Sequence, residues 1–293
     1  MTTRSIEEIR VESWEGLNEA LYRGSWNQEI RRFRSDYVFR GLSFSDWPLV
    51  TALSRLGGGY RELEAHLLRN FRKYARQSVS FADSEWNWLA VAQHHGLPTR
   101  LMDWTYSPFV ALHFATECVE DFDRDGIIWC VNYVGVHDTL PPRLRRLLKQ
   151  ERSNAFTVEM LASVAGNLRE LEALSHEPFA LYFEPPSFDE RIVNQFALFS
   201  MMSNPNAQLE SWLEERPDLV RRVIIPAECK WEMRDKLDQA NITERVLFPG
   251  LDGLSCWLRR HYTPRAEAEP EAGDGSEISN LTTLRAVRTG KAS

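Results

Sequence analysis

Apolar residues in this chain recur with two different periods, and those periods predict its elements. Over residues 60–77, Leu63, Leu67, Leu68, Phe71 and Tyr74 return every three or four positions opposite Arg, Lys and Glu, the pattern of an amphipathic helix. Residues 126–134 (GIIWCVNYV) are apolar on both faces and rich in β-branched and aromatic side chains, which predicts a central strand. Residues 36–42 (DYVFRGL) predict a shorter strand that ends at a glycine. Alternation puts Tyr37, Phe39 and Gly41 on one face of it and Val38, Arg40 and Leu42 on the other. Arg40 therefore shares a face with aliphatic side chains, and a guanidinium buried there requires an anionic partner, from the protein or from a ligand.

Two apolar helices are predicted at 86–91 and 109–115, the second capped by Ser107 with Pro108 in its first position. That helix is apolar nearly all round, so burial is expected, with its free N–H groups turned as a positive pole toward the polar stretch before it. Residues 47–54 form another apolar piece, and Gly57-Gly58-Gly59 reads as a mobile turn or as a close backbone approach to phosphate. Strands are expected at 180–183, stopped by Pro185-Pro186, at 196–201 and at 222–225; 246–248 reads as a short strand or turn. Helices are expected over 229–240 and 251–261, and mostly helix over 139–180, where Arg143 to Arg146 make a solvated face. Residues 1–35 are polar and predicted helical. The sum is an α+β fold with a mixed central sheet flanked by helices. It divides into a helical lead-in (1–35), one main domain (36–262) and a disordered Ala/Glu/Pro/Gly-rich tail (263–293).

Composition narrows the function classes. A chain of 293 residues with 43% hydrophobic content can bury a sizeable core. The net charge of −7 disfavours global attraction to nucleic acid or anionic membrane, while a local basic groove stays open. Cys118, Cys130, Cys229 and Cys256 form no CxxC pair and read as small buried hydrophobes of a reduced, cytoplasmic protein. The first ten residues are polar, unlike a signal peptide, and no apolar run approaches the roughly 20 residues that span a bilayer.

Chemistry concentrates between residues 93 and 108, QHHGLPTRLMDWTYSP, where imidazoles, a guanidinium, a carboxylate and hydroxyls lie between two apolar helices. Polar groups held there are costly unless paired. His94 and His95 point opposite ways, so one at most enters a pocket as a base or ribose contact; otherwise each fixes the loop through a backbone carbonyl. If 99–103 is extended, Asp103 can face the same pocket as Arg40 while Arg100 faces away; a salt bridge joining two strands is the structural alternative.

The pieces Tyr37-Val38-Phe39-Arg40-Gly41-Leu42 and Gln93-His94-His95-Gly96-Leu97-Pro98-Thr99-Arg100-Leu101-Met102-Asp103-Trp104-Thr105 resemble the FRG domain, a bacterial family named for its Phe/Tyr-Arg-Gly motif. Arg191…Gln195 before an apolar strand, and Leu247 to Leu254, resemble it as well. Met102 stands where the family usually has Leu, and Gly250 where it often has Asp. A weaker resemblance links the chain to ADP-ribosyltransferases of the Arg-Ser-Glu type. Those carry an aromatic-Arg-Gly strand, then a polar strand leading into an Ala-x-x-Phe-Ala helix, here Ala111-Leu112-His113-Phe114-Ala115, then a strand with a catalytic Glu.

The second resemblance implies an NAD-consuming enzyme, a toxin or phage-defence effector modifying a protein, RNA or DNA, with an antitoxin or other regulatory partner. It implies that Arg40 holds the NAD pyrophosphate, with Gly41, His94, Thr99, Arg100, Thr105 and Arg191 as further contacts to NAD. Catalytic roles fall to His95, Asp103 and either Gln195 or Glu244, the last two being the neutral and the carboxylate candidates for the third element. Each has a structural alternative: an ion pair for Arg40, Arg100 and Asp103, and strand-edge polarity for Arg191, Gln195 and Glu244. Two other readings stand beside this one. One is a non-catalytic nucleotide- or protein-binding module. The other is a metal-assisted hydrolase or nuclease using His94 or His95 with Asp103, although the spacing matches no strong metal signature.

Overall fold

In the computed structural model of the protein, residues 5–57, 59–77 and 83–265 are described. The middle glycine of Gly57-Gly58-Gly59 and residues 266–293 of the expected tail lie outside the described residues.

The alternating segments become the strands β1 (Glu7–Arg10), β2 (Trp26–Asn27), β3 (Arg32–Phe33), β4 (Tyr37–Leu42), β5 (Met102–Thr105), β6 (Gly126–Asn132), β7 (Ala180–Phe183), β8 (Ala197–Met202) and β9 (Val220–Ile225). Seven of them form one mixed sheet in the order β1-β9-β6-β4-β5-β8-β7, while β2 and β3 make a separate hairpin. Neighbours in the sheet are antiparallel except β1, which lies parallel to β9. The fold is therefore α+β with helices around a mixed sheet, as the pattern predicts.

Burial follows the alternation. Val38, Leu42, Met102, Trp104, Trp129 and Leu198 pack on one face, and Phe39, Ile128, Cys130 and Val223 meet the helix Pro108–Ala115 on the other. Ser107 caps that helix by accepting from the Val110 N–H, and Pro108 opens it. It lies directly on β4 at Gly41, whose position a Cβ would fill to within 1.8 Å of the Ala111 carbonyl oxygen. A further core, including Trp86, Leu89, Phe156, Phe183 and Phe199, joins the outer strands to helices Glu85–His94 and Val158–Val164.

Three local expectations change. The lead-in is not wholly helical: β1 joins the main sheet beside β9, followed by helix Trp14–Tyr22 and the β2–β3 hairpin. β1 is four residues of mostly exposed EEIR, too short and too polar to announce itself, and it is β9's free edge that organises it. Residues 246–248 are not a strand; helix Glu244–Leu247 occupies the segment, with the Thr243 carbonyl accepting from the Leu247 N–H at 2.9 Å. Of the four cysteines only Cys130 is buried, while Cys118 and Cys256 are exposed. Among the described residues, no helix is long and apolar enough to cross a membrane.

β4 and β6 pair along six positions, but β4 and β5 pair at one only, Phe39 with Thr105. The sheet is thus two ladders, β1-β9-β6-β4 and β5-β8-β7, joined at a single rung and parting beyond it.

Candidate functional site

A cleft of ≈ 280 Å³ opens at this seam. Arg40 comes from β4 and Asp103 and Thr105 from β5, while Gln195 and Arg191 come from the helix and turn before β8. Phe114 and Glu117 come from the end of the buried helix, and Trp47 and Arg55 from the segment after β4.

Arg40 crosses the gap between the strands, donating through Nη1 to the Asp103 carbonyl at 2.6 Å. Its Nε is buried without a hydrogen-bond partner, and the residue itself lines the cleft. Burial pulls its pKa below the ordinary arginine value, partly countered by the charge of Asp103. No carboxylate makes a salt bridge to it among the described residues. A half-buried cation of this kind favours an anion arriving from outside.

Asp103 is aimed by its neighbours. Its Oδ2 accepts from the Gln93 side-chain amide Nε2 at 2.8 Å, and the same side chain's Oε1 accepts from the Thr99 hydroxyl at 2.6 Å. Residues 93–103 thus fold back on themselves to present one exposed carboxylate. Thr105 donates to the Gln195 carbonyl at 2.7 Å and accepts from the Ser107 N–H at 3.0 Å, tying the strand, the turn before β8 and the helix cap together. Gln195 donates its amide to the Leu247 carbonyl at 2.9 Å.

Glu117 is reached by solvent yet ringed by protein atoms. Desolvation, reinforced by Glu244 and opposed by Arg234 and Arg40, pushes its carboxyl up to about 7. It also lines a second, larger cavity of ≈ 700 Å³ together with Trp231 and Phe248.

Of the residues singled out from sequence, Arg40, Gly41, Asp103, Thr105, Arg191 and Gln195 meet at this cleft. The others do not line it. Thr99 acts from behind, through Gln93. Arg100 is buried against Glu64, donating from its backbone N–H at 2.9 Å and from Nε at 2.7 Å, and reaches the Ser203 carbonyl at 2.9 Å. His94 pairs with Asp189 and packs edge-on against Phe188, and desolvation lowers its pKa despite that carboxylate. His95 is exposed beside Phe71. Glu244 sits on a helix rather than a strand. Burial would raise its pKa, but paired hydrogen bonds from Arg260 at 2.6 and 2.8 Å hold the carboxyl down at about 2.

The helix end expected to meet an anion is also corrected. It is the C-terminal end, through Phe114 and Glu117, that reaches the cleft, while the N-terminal N–H groups are capped by Ser107 beside Thr105. Among the described residues, no three His, Cys, Asp or Glu side chains gather so as to hold a metal ion. Gln93, Trp47, Arg55 and Glu117 escape the reading of the sequence as site residues. Gln93 alone carried a signal, being the first residue of the central polar stretch.

Fold and cleft define the class: an α+β protein whose sheet is split at an arginine-bearing seam. Residues 35–124 match the family model of the FRG domain, and the chain accordingly carries an FRG domain. The match takes in β4, β5, the buried helix and Glu117, whereas Arg191 and Gln195 lie beyond it. No curated protein and no solved structure matches the chain.

Proposed function

We propose that the cleft binds NAD and that the protein cleaves it, transferring ADP-ribose to a macromolecule. The observation carrying this reading is Arg40 at the seam, salt-bridged to no carboxylate among the described residues, beside an oriented carboxylate and near two further arginines, Arg55 and Arg191. Arg40 takes the pyrophosphate through charge-assisted hydrogen bonds of roughly 1.5–3 kcal/mol each. Asp103 faces the nicotinamide ribose. When the C1′–N bond breaks, its electron pair neutralises the pyridinium nitrogen, nicotinamide leaves uncharged, and positive charge develops on the ribose beside the carboxylate. Electrostatic stabilisation of that kind is worth about 2.7–4 kcal/mol for one group. The acceptor then bonds to C1′ and its proton passes to Glu117, whose carboxyl near 7 is matched to that task at neutral pH. The cleft's ≈ 280 Å³ falls just below the range of small-molecule sites (about 300–1,000 Å³), suiting a pyrophosphate and one ribose, with the remainder of the dinucleotide toward the rim.

A second reading, a nucleotide-binding module without turnover, is favoured by one fact. The two candidates for the third catalytic element are already engaged, Glu244 with Arg260 and the Gln195 amide with Leu247. Calorimetry of NAD against wild type, Arg40→Ala and Arg40→Lys, combined with nicotinamide release in the presence of candidate protein, RNA and DNA acceptors, separates the readings. Binding that Arg40→Ala abolishes, with release that Asp103→Asn lowers by about 100-fold or more, supports the enzyme. Binding without release supports the module. Absence of NAD binding by the wild type sinks both.

A further inference from the structure

The segment that follows β4 has no regular structure from Ser43 to Val50, yet it is pinned from several sides. Lys230, buried completely, donates from Nζ to the Ser43 carbonyl at 2.9 Å and to the Asp121 carbonyl at 2.8 Å. The Ser45 N–H donates to the Asp125 carbonyl at 2.8 Å. Arg124 holds both carboxylate oxygens of Asp46 at 2.8 Å and lays its guanidinium 3.8 Å from the centre of the Phe44 ring. Phe44 in turn meets Trp47 edge-on, with ring centres 4.6 Å apart. Burying an ammonium is expensive, and here two carbonyl groups and the nearby charges of Asp121, Asp125 and Asp123 offset it. What the arrangement fixes in space is an indole left 44% exposed on the wall of the cleft that holds Arg40. A rigid aromatic face at the rim of a cationic pocket matches a ligand with a planar heteroaromatic ring next to an anionic group.

We infer that Trp47 is a stacking platform for the base of a nucleotide, the ring lying on the indole while Arg40 and Arg55 receive the phosphates. The inference rests on the nucleotide-binding reading of the cleft. It adds that affinity divides into a phosphate part, independent of the indole, and a base part that needs it.

The test measures binding of inorganic pyrophosphate, ADP, nicotinamide mononucleotide and NAD to the full chain carrying Trp47→Ala or Trp47→Phe. Expected is a loss of roughly tenfold or more in NAD affinity for Trp47→Ala, near-complete retention by Trp47→Phe, and unchanged pyrophosphate affinity. A matching loss with ADP identifies adenine as the stacked ring; a matching loss with nicotinamide mononucleotide identifies nicotinamide. Unchanged NAD affinity in Trp47→Ala overturns this inference and leaves the cleft reading standing. So does an equal loss for pyrophosphate, because it assigns Trp47 to loop structure instead. A wild type that binds neither pyrophosphate nor any nucleotide overturns both.

Discussion

Gly41 lies in the aromatic-Arg-Gly motif and on the wall of the cleft, so its requirement can be read as closeness to a ligand or as packing. The structure decides for packing, and the substitution Gly41→Ala measures it. The added Cβ would stand 1.8 Å from the Ala111 carbonyl oxygen and 2.8 Å from the Ala115 amide nitrogen, both helix backbone. Ordinary contact begins near 3.4 Å, so the helix must retreat by about 1.6 Å. It cannot do so freely, because Ala111, Leu112 and Ala115 are completely buried against the sheet. Overpacking typically costs 1–3 kcal/mol where side chains can yield, and here only backbone can, so the expected loss is about 3 kcal/mol or more. At roughly 2–4 °C per kcal/mol for a domain of this size, Tm should fall by about 6–12 °C. Urea denaturation gives the free energy directly, with Gly166→Ala as the control, since a Cβ there meets only the flexible Glu170 carboxylate at 3.4 Å. A Gly41→Ala protein within about 1 kcal/mol of wild type would refute the argument, showing that the helix is not held against β4. A folded variant is informative too, because the displaced helix carries Phe114 and Glu117 away from the cleft.

Two further outcomes concern stability. Glu64→Ala leaves Arg100 buried without its carboxylate and should cost about 3–5 kcal/mol in urea denaturation, most of it recovered when Arg100→Met is added; a loss under 1 kcal/mol would show the pair to be dispensable. His137 accepts the Tyr182 N–H at Nε2 and meets the Asn154 carbonyl at Nδ1, and burial lowers its pKa to about 4. Because the unfolded imidazole titrates near 6.5, its contribution to stability is complete above that value and is lost as pH falls toward 4. Between pH 7 and pH 5 that amounts to about 2 kcal/mol, and His137→Gln should flatten the slope of stability against pH; an unchanged slope would assign it to other groups such as His113.

Much of this molecule is visible in the order of its residues, and the invisible remainder has identifiable causes. β4, β6, the amphipathic helix Tyr60–Ala75 and the capped helix Pro108–Ala115 are each carried by a period or a cap within their own span, so local patterning announces them. Arg40 and Asp103 likewise stand out as charges set among apolar neighbours. β1 does not, because four polar residues become a strand only when β9 offers them an edge. The roles of Glu64, Glu117 and Trp47 were also hidden. Each acts through a residue that is distant in the chain, or through a carboxylate or rim that exists only once the chain has closed.

The sequence by itself determined the class of fold, the strand that carries Arg40, the cap of the buried helix and the FRG resemblance, since these depend on neighbours a few positions away. Tertiary structure alone decided that β4 and β5 share one rung and then part, that Arg40 bridges the gap, and that Arg100 and Glu244 are consumed by Glu64 and Arg260. The physical reason is that a charge with no local partner is indifferent between ligand and ion pair until the fold fixes which opposite charge comes within reach.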